Sequence, residues 1–124
     1  MSAPHIVYAG YLFSSTVTLQ LRQSNGDITP FVLNAGGGDT VVAVLGDFDG
    51  KTVYTAEVTA DSGATGADWA NGVVVIDIPA TETAKLADSP LIGDKARLWI
   101  KATQSGEPTL FSILIRPECA PMGV

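Results

Sequence analysis

The sequence predicts an all-β domain, a sandwich of about seven or eight short strands with one short helix. Three observations predict it. Turn signals of Gly, Asn, Asp and Pro recur at short intervals, with 13 Gly and 7 Pro in 124 residues and no period among them. The stretches between these turns are either β-branched throughout or alternate apolar with polar, the pattern of buried and half-buried strands. Only one stretch, following Pro79, reads as helical. Many short strands separated by turns favour a β-sandwich of the immunoglobulin-like kind.

Taken in order, residues 1–14 form an N-terminal arm or a first strand, 15–117 the β-sandwich, and 118–124 a C-terminal tail. Ile6 to Phe13 is apolar and aromatic, with Gly10 as a bulge or bend. Ser15 to Gln23 alternates, placing Val17, Leu19 and Leu21 on one face and Thr18, Gln20 and Arg22 on the other. Ser24-Asn25-Gly26-Asp27 turns the chain into Ile28–Leu33, which Pro30 assigns to an edge. Asn34 to Asp39, with its three glycines, reads as the most flexible segment and a hairpin tip. Thr40–Leu45 and Thr52–Thr59 follow as strands, joined by Gly46-Asp47-Phe48-Asp49-Gly50-Lys51.

The stretch from Asp68 to Leu86 organises the rest. Asn71-Gly72 is a turn signal, because both residues tolerate positive φ. Val73 to Ile78 suits a buried strand, and Pro79 ends it for want of an N–H. Thr81 is placed to cap a short helix, with Leu86 anchoring it over one end of a sheet. Ala96–Thr103 then carries Leu98, Ile100 and Ala102 on one side, with Arg97, Trp99 and Lys101 on the other. A turn at Ser105-Gly106-Glu107-Pro108 leads to the last strand, Thr109–Arg116.

Composition narrows the function. Hydrophobic residues make up 46% and charged residues 16%, so the chain packs a core and has little charge with which to cover its surface. A net charge of −6 with no basic stripe argues against nucleic acid. No apolar run is long enough to span a bilayer, so no membrane partner is expected. Met1-Ser2-Ala3-Pro4-His5 lacks a basic region followed by an apolar core, so no signal peptide is expected and the chain is read as made in a cytoplasm.

Catalytic sets are hard to assemble. His5 is the sole histidine, and the sole cysteine, Cys119, rules out an internal disulfide. Asp47-Phe48-Asp49-Gly50 resembles part of a calcium loop but lacks the later ligands, and an Asp-Gly turn explains it more simply. Gly36-Gly37-Gly38 lacks the Lys-Ser/Thr of a phosphate loop. Glu57, Glu82, Glu107 and Glu118 fall on surface positions or turns. Trp69 and Trp99 are read first as core or interface anchors and second as a sugar-stacking platform. No catalytic residue, cofactor or metal is expected.

The run G-V-V-V-I-D-I-P-A-T-E-T-A-K-L, followed by K-A-R-L-W-I-K-A-T, the turn S-G-E-P and T-L-F-S-I-L-I-R-P, resembles a bacteriophage module. It is similar to the N-terminal immunoglobulin-like domain of phage baseplate upper proteins and tail-fibre proteins, over about residues 40–117. The resemblance implies a virion component that joins one part of a particle to another, with no catalytic residues to transfer. A long fibre usually follows the family's domain, and this sequence has none. The expected function is therefore a non-enzymatic virion structural protein, an adaptor of tail, baseplate or fibre attachment. A head-decoration protein is the alternative, and a carbohydrate-binding module the second. Expected partners are other virion proteins and further copies of the chain, with Tyr8, Tyr11, Phe13 and Trp69 as interface residues.

Overall fold

The computed structural model describes residues 5–46, 58–60, 62–63, 65–88 and 96–119. Their strands are β1 (His5–Ala9), β2 (Phe13–Thr18), β3 (Gln20–Arg22), β4 (Ile28–Pro30), β5 (Thr40–Gly46), β6 (Val58–Thr59), β7 (Val73–Ile78), β8 (Ala96–Gln104) and β9 (Glu107–Cys119). One short α-helix, α1 (Ala80–Thr83), continues into a 3-10 turn over Ala84–Asp88. The chain is thus mostly β with one short helix. Its main sheet has the order β1-β9-β8-β5-β6, and β2-β7 and β3-β4 form two-stranded sheets. Within the main sheet β1 runs parallel to β9, while the other pairings are antiparallel.

The described residues hold nine strands where the sequence suggested seven or eight, because one expected run divides. The strand expected over 15–23 changes partner at Leu19. Up to Thr18 it pairs with β7, and beyond Leu19 it pairs with β4. At the junction the Leu19 N–H donates to the Gly72 carbonyl at 2.8 Å, and the Leu19 carbonyl accepts from the Phe31 N–H at 2.9 Å. Leu19 is buried but Leu21 is 39% exposed, so the inward alternation stops where the partner changes.

Of the two alternatives for Gly10, bulge or bend, the structure has the bend. The residue sits at φ +85 in a turn closed by Tyr11 N–H to the Tyr8 carbonyl, and carries the chain from the main sheet to β2. Buried Thr83 fixes this crossing. Its hydroxyl donates to the Tyr11 carbonyl at 2.7 Å and accepts from the Gly10 N–H at 3.1 Å.

The helix begins earlier than expected. Pro79, not Thr81, stands at the N-cap, and no side chain caps the first turn. Leu86 is fully buried, the anchor its position suggested. Gly72 takes the left-handed conformation at the end of the Trp69–Asn71 3-10 turn, whereas Asn71 does not. The Asn34–Asp39 segment is held by its own side chains. The Asn34 Oδ1 accepts from the Gly37 N–H, and the Asp39 carboxylate accepts from the Asn34 N–H at 2.8 Å.

β9 continues past Arg116 to Cys119, because β1 supplies a parallel partner that one sequence does not reveal. Pairing with β8 stops at Ile115, so Pro117 needs no N–H on that side. Of the strand expected over 52–59, only Val58–Thr59 lies within the described residues, paired to β5.

One core gathers inward residues from β1, β2, β5, β7, β8 and β9 and from the turns between strands. Val41, Ala43 and Leu45 of β5, with Leu98 and Ile100 of β8, share it with Val74, Ile76 and Ile78 of β7, and with Phe13, Leu19, Phe31, Trp69 and Leu86. Phe31 and Phe111 meet edge to face, with ring centroids 5.2 Å apart.

Candidate interaction surface

Strand alternation decides which side chains stand on the second face of the main sheet, away from the core. On β8, Ala96, Leu98, Ile100 and Ala102 are buried at 0% exposure, which turns Arg97, Trp99 and Lys101 outward. On β5, Val42 and Val44 are the outward, half-buried residues. Register adds the rest. Val44, Trp99 and Ser112 form one cross-strand row, and Val42, Lys101 and Leu110 the next. Arg97 lies opposite Leu114, and on β1 Ile6 and Tyr8 lie opposite Arg116 and Glu118.

This outward face is apolar to an unusual degree. Leu110 is 62% exposed, Ile6 44% and Tyr8 39%. Between the rows is a shallow hollow of about 210 Å³, lined by Val42, Val44, Trp99, Lys101 and Leu110. The Arg97 guanidinium lies 6.0 Å from the Trp99 ring centroid, within cation–π range, while its Nη1 donates to Ser112 Oγ at 2.9 Å.

Charge on the face runs against the rest of the chain. Arg97, Lys101 and Arg116 are three of the seven Lys and Arg residues in a protein of net charge −6. Among the described residues of this face the one carboxylate is Glu118, whose Oε1 is 4.0 Å from Arg116 Nη1. Lys101 has no ion-pair partner among the described residues, and Arg116 Nε is a buried donor without a hydrogen-bond partner among them. Such a surface offers apolar contact edged by positive charge. Among the described residues no three His, Cys, Asp or Glu side chains gather.

The four residues singled out from the sequence separate. Tyr8 stands on this face. Tyr11, 41% exposed, lies in the β1–β2 turn beside Leu12, which is 67% exposed. Phe13 and Trp69 are each 7% exposed and belong to the core, so neither side chain is offered to a partner. Phe13 opens β2 opposite Ile78, and alternation turns it inward. Trp69 lies in the 3-10 turn before β7, its carbonyl accepting from the Leu33 N–H and its Nε1 buried without a partner among the described residues. Of the two tryptophans considered as a platform, Trp99 is the one with an outward ring.

The other chemistry-bearing residues do not converge on the face. His5 starts β1, and exposed Cys119 ends β9. Glu82 pairs with Lys85 at 3.0 Å, and Asp68 accepts from the Asn71 amide at 2.7 Å. Asp47 to Gly50 and Glu57 lie outside the described residues. The alternation of Arg97, Trp99 and Lys101 was visible in the sequence as the polar side of a strand. Leu110 was not, because Thr109–Leu114 is apolar on both faces. No family model matches the chain, and no curated protein matches it.

Proposed function

We propose that this chain is a non-enzymatic structural protein of a bacteriophage particle, an immunoglobulin-like sandwich that joins neighbouring virion proteins at the tail, baseplate or fibre attachment. The observation that carries the reading is the outward face of the main sheet. Its Trp, Arg and Tyr side chains among exposed aliphatics have the composition of a protein interface rather than of a solvated surface. The strand arrangement supports the sandwich. The order β6-β5-β8-β9, with β2 and β7 paired separately, corresponds to the C′-C-F-G and B-E strands of immunoglobulin-like domains in chain order. The resemblance of residues 40–117 to baseplate and tail-fibre modules supports the placement in a phage.

The test is the light-scattering mass of the purified chain, alone and mixed with undecorated capsids and with tail proteins. Binding to tail or baseplate protein is the expected result. Co-sedimentation with capsids would move the chain to head decoration, and failure to bind either would end the reading. Trp99 favours a second reading, a carbohydrate-binding surface. The hollow beside it, at about 210 Å³, is smaller than the roughly 300–1,000 Å³ of ordinary ligand sites, which favours a protein contact. Quenching of tryptophan fluorescence by host polysaccharide would reverse that preference.

A further inference from the structure

We infer that Asn25, at the tip of the β3–β4 hairpin, is a site of spontaneous deamidation through a cyclic imide, and that the fold withholds the same chemistry from Asn71. Each of the two residues precedes a glycine. The reaction needs the backbone nitrogen of the following residue to reach the asparagine Cγ, and a glycine there has no Cβ to obstruct it. Asn34, the third asparagine, is followed by Ala35, whose Cβ stands in the way.

The two Asn-Gly pairs share one restraint. Gly26 N–H donates to the Gln23 carbonyl at 2.9 Å, and Gly72 N–H to the Trp69 carbonyl at 3.0 Å. Freedom to leave that bond separates them. Asn25 and Gly26 are both exposed, and nothing stands within 4 Å of where a Gly26 Cβ would be. Water can replace the Gln23 bond, and the glycine nitrogen can swing towards Cγ. Gly72 is buried, crowded by the Leu19 and Phe31 backbones, and its carbonyl accepts from the Leu19 N–H at 2.8 Å. Moving it means breaking the junction of three strands. The side-chain oxygens differ as well. Asn25 Oδ1 accepts from the Asp27 N–H at 3.0 Å, so a donor already faces the atom on which negative charge develops as Cγ is attacked. Asn71 Oδ1 receives no hydrogen bond among the described residues, and its amide nitrogen is held by the Asp68 carboxylate.

The steps need no reagent but water. The Gly26 nitrogen gives its proton to solvent and bonds to Asn25 Cγ. The tetrahedral intermediate collapses by breaking the Cγ–Nδ2 bond, and ammonia leaves with a proton from solvent. Water then opens the imide at either carbonyl, leaving aspartate or isoaspartate at position 25. Neither product keeps the present turn. Asn25 Nδ2 donates to the Asp27 carboxylate at 3.1 Å, and a carboxylate in its place meets like charge. Isoaspartate also adds a methylene to the main chain, inside the turn that the Gln23 N–H closes on the Asp27 carbonyl. With strands of only three residues on either side, the hairpin opens from its tip.

The test ages the purified full chain in mildly alkaline buffer. Its peptides are then mapped by mass spectrometry, with fragmentation that separates aspartate from isoaspartate. In the folded chain Asn25 is expected to convert about tenfold faster than Asn71 or more, with isoaspartate among the products. In urea the difference should vanish, since the fold is what withholds Asn71. Amide hydrogen exchange over residues 20–30 should quicken both in the aged chain and in Asn25→Asp. Equal rates at the two sites of the folded chain would overturn the inference, as would an Asn25 that stays intact while the unfolded chain converts. Aspartate formed without isoaspartate would overturn the imide route. An aged hairpin whose amides exchange as slowly as the fresh one would overturn the opening of the tip.

Discussion

A Cβ at Gly72 would stand 2.5 Å from the Leu19 carbonyl oxygen and 3.0 Å from both the backbone N and O of Phe31. The crowding exists because Gly72 lies where the run of β2 and β3 passes at Leu19 from pairing with β7 to pairing with β4, so three backbones meet there. Its φ of +77 adds a conformation that L-residues adopt only under strain. Gly72→Ala is therefore expected to lower stability by about 3 kcal/mol or more, as strain and displaced ladder bonds combine. Urea denaturation checks this, and a loss below about 1 kcal/mol would show that the junction yields easily. Asp39 presents the opposite case, a side chain that organises backbone. Its carboxylate accepts from the Ser105 N–H at 3.0 Å and from the Asn34 N–H at 2.8 Å, tying the turn before β5 to the β8–β9 hairpin. Those N–H groups, Ser105 first, favour the charged form and hold its pKa below the ordinary 3.8. A carboxyl with a lowered folded pKa stabilises fully above its unfolded value and loses that contribution as pH falls through the folded one. The stability difference between wild type and Asp39→Asn should hold steady near neutrality and shrink below pH 3.8. An unchanged difference at lower pH would remove the carboxylate from the account.

Among the elements, the β8–β9 hairpin carries its instructions in two residues. Ser105 and Gly106 form its loop at φ 51 and φ 83, the paired positive angles of a type I′ turn. Ser105 is the one non-glycine with positive φ among the described residues. Asn tolerates that region better than Ser. Ser105→Asn should therefore raise stability by about 0.5 kcal/mol, with the Asp39 bond retained because it uses the backbone N–H. Thermal melting tests it, and a lower melting temperature would mean that the Ser side chain has a role of its own. This hairpin, strand β7 and the turn before it were legible in the sequence, since each depends on neighbours a few residues apart. The division at Leu19 was not legible, because an extended run looks the same whether it keeps one partner or takes two. The start of α1 was hidden for a related reason. Pro79 serves both as strand terminator and as N-cap, leaving Thr81 inside the helix and Thr83 free to bond the β1–β2 turn. The candidate surface was legible only on β8. Register, not composition, brings Val42 and Leu110 to Trp99, and register needs the strand order.

At the scale of the molecule, the strand order sets the first strand against the last. β1 lies parallel to β9, and Val7 is fully buried between the sheet and the turn that follows α1. Neither strand could be assigned to the other from the sequence, because nothing local records a pairing over that separation. The pairing extends β9 to Cys119 and gives the outward face its Ile6 and Tyr8. It also covers the edge of β9 opposite β8 over Ile115–Cys119, which would otherwise stand open. Removing residues 1–9 should therefore act in two ways. Loss of Val7 burial alone costs about 2 kcal/mol, and Leu86 and Pro117 lose part of their cover as well. The newly open edge of β9, over Ile115–Cys119, should pair with other chains. The truncated protein is expected to denature at lower urea and to scatter light increasingly with time. Adding a peptide of residues 1–10 should reduce both effects by restoring the parallel strand. A truncated chain as stable and as soluble as the full one would mean that β1 only decorates the sheet, and that β9 is secured by β8 alone.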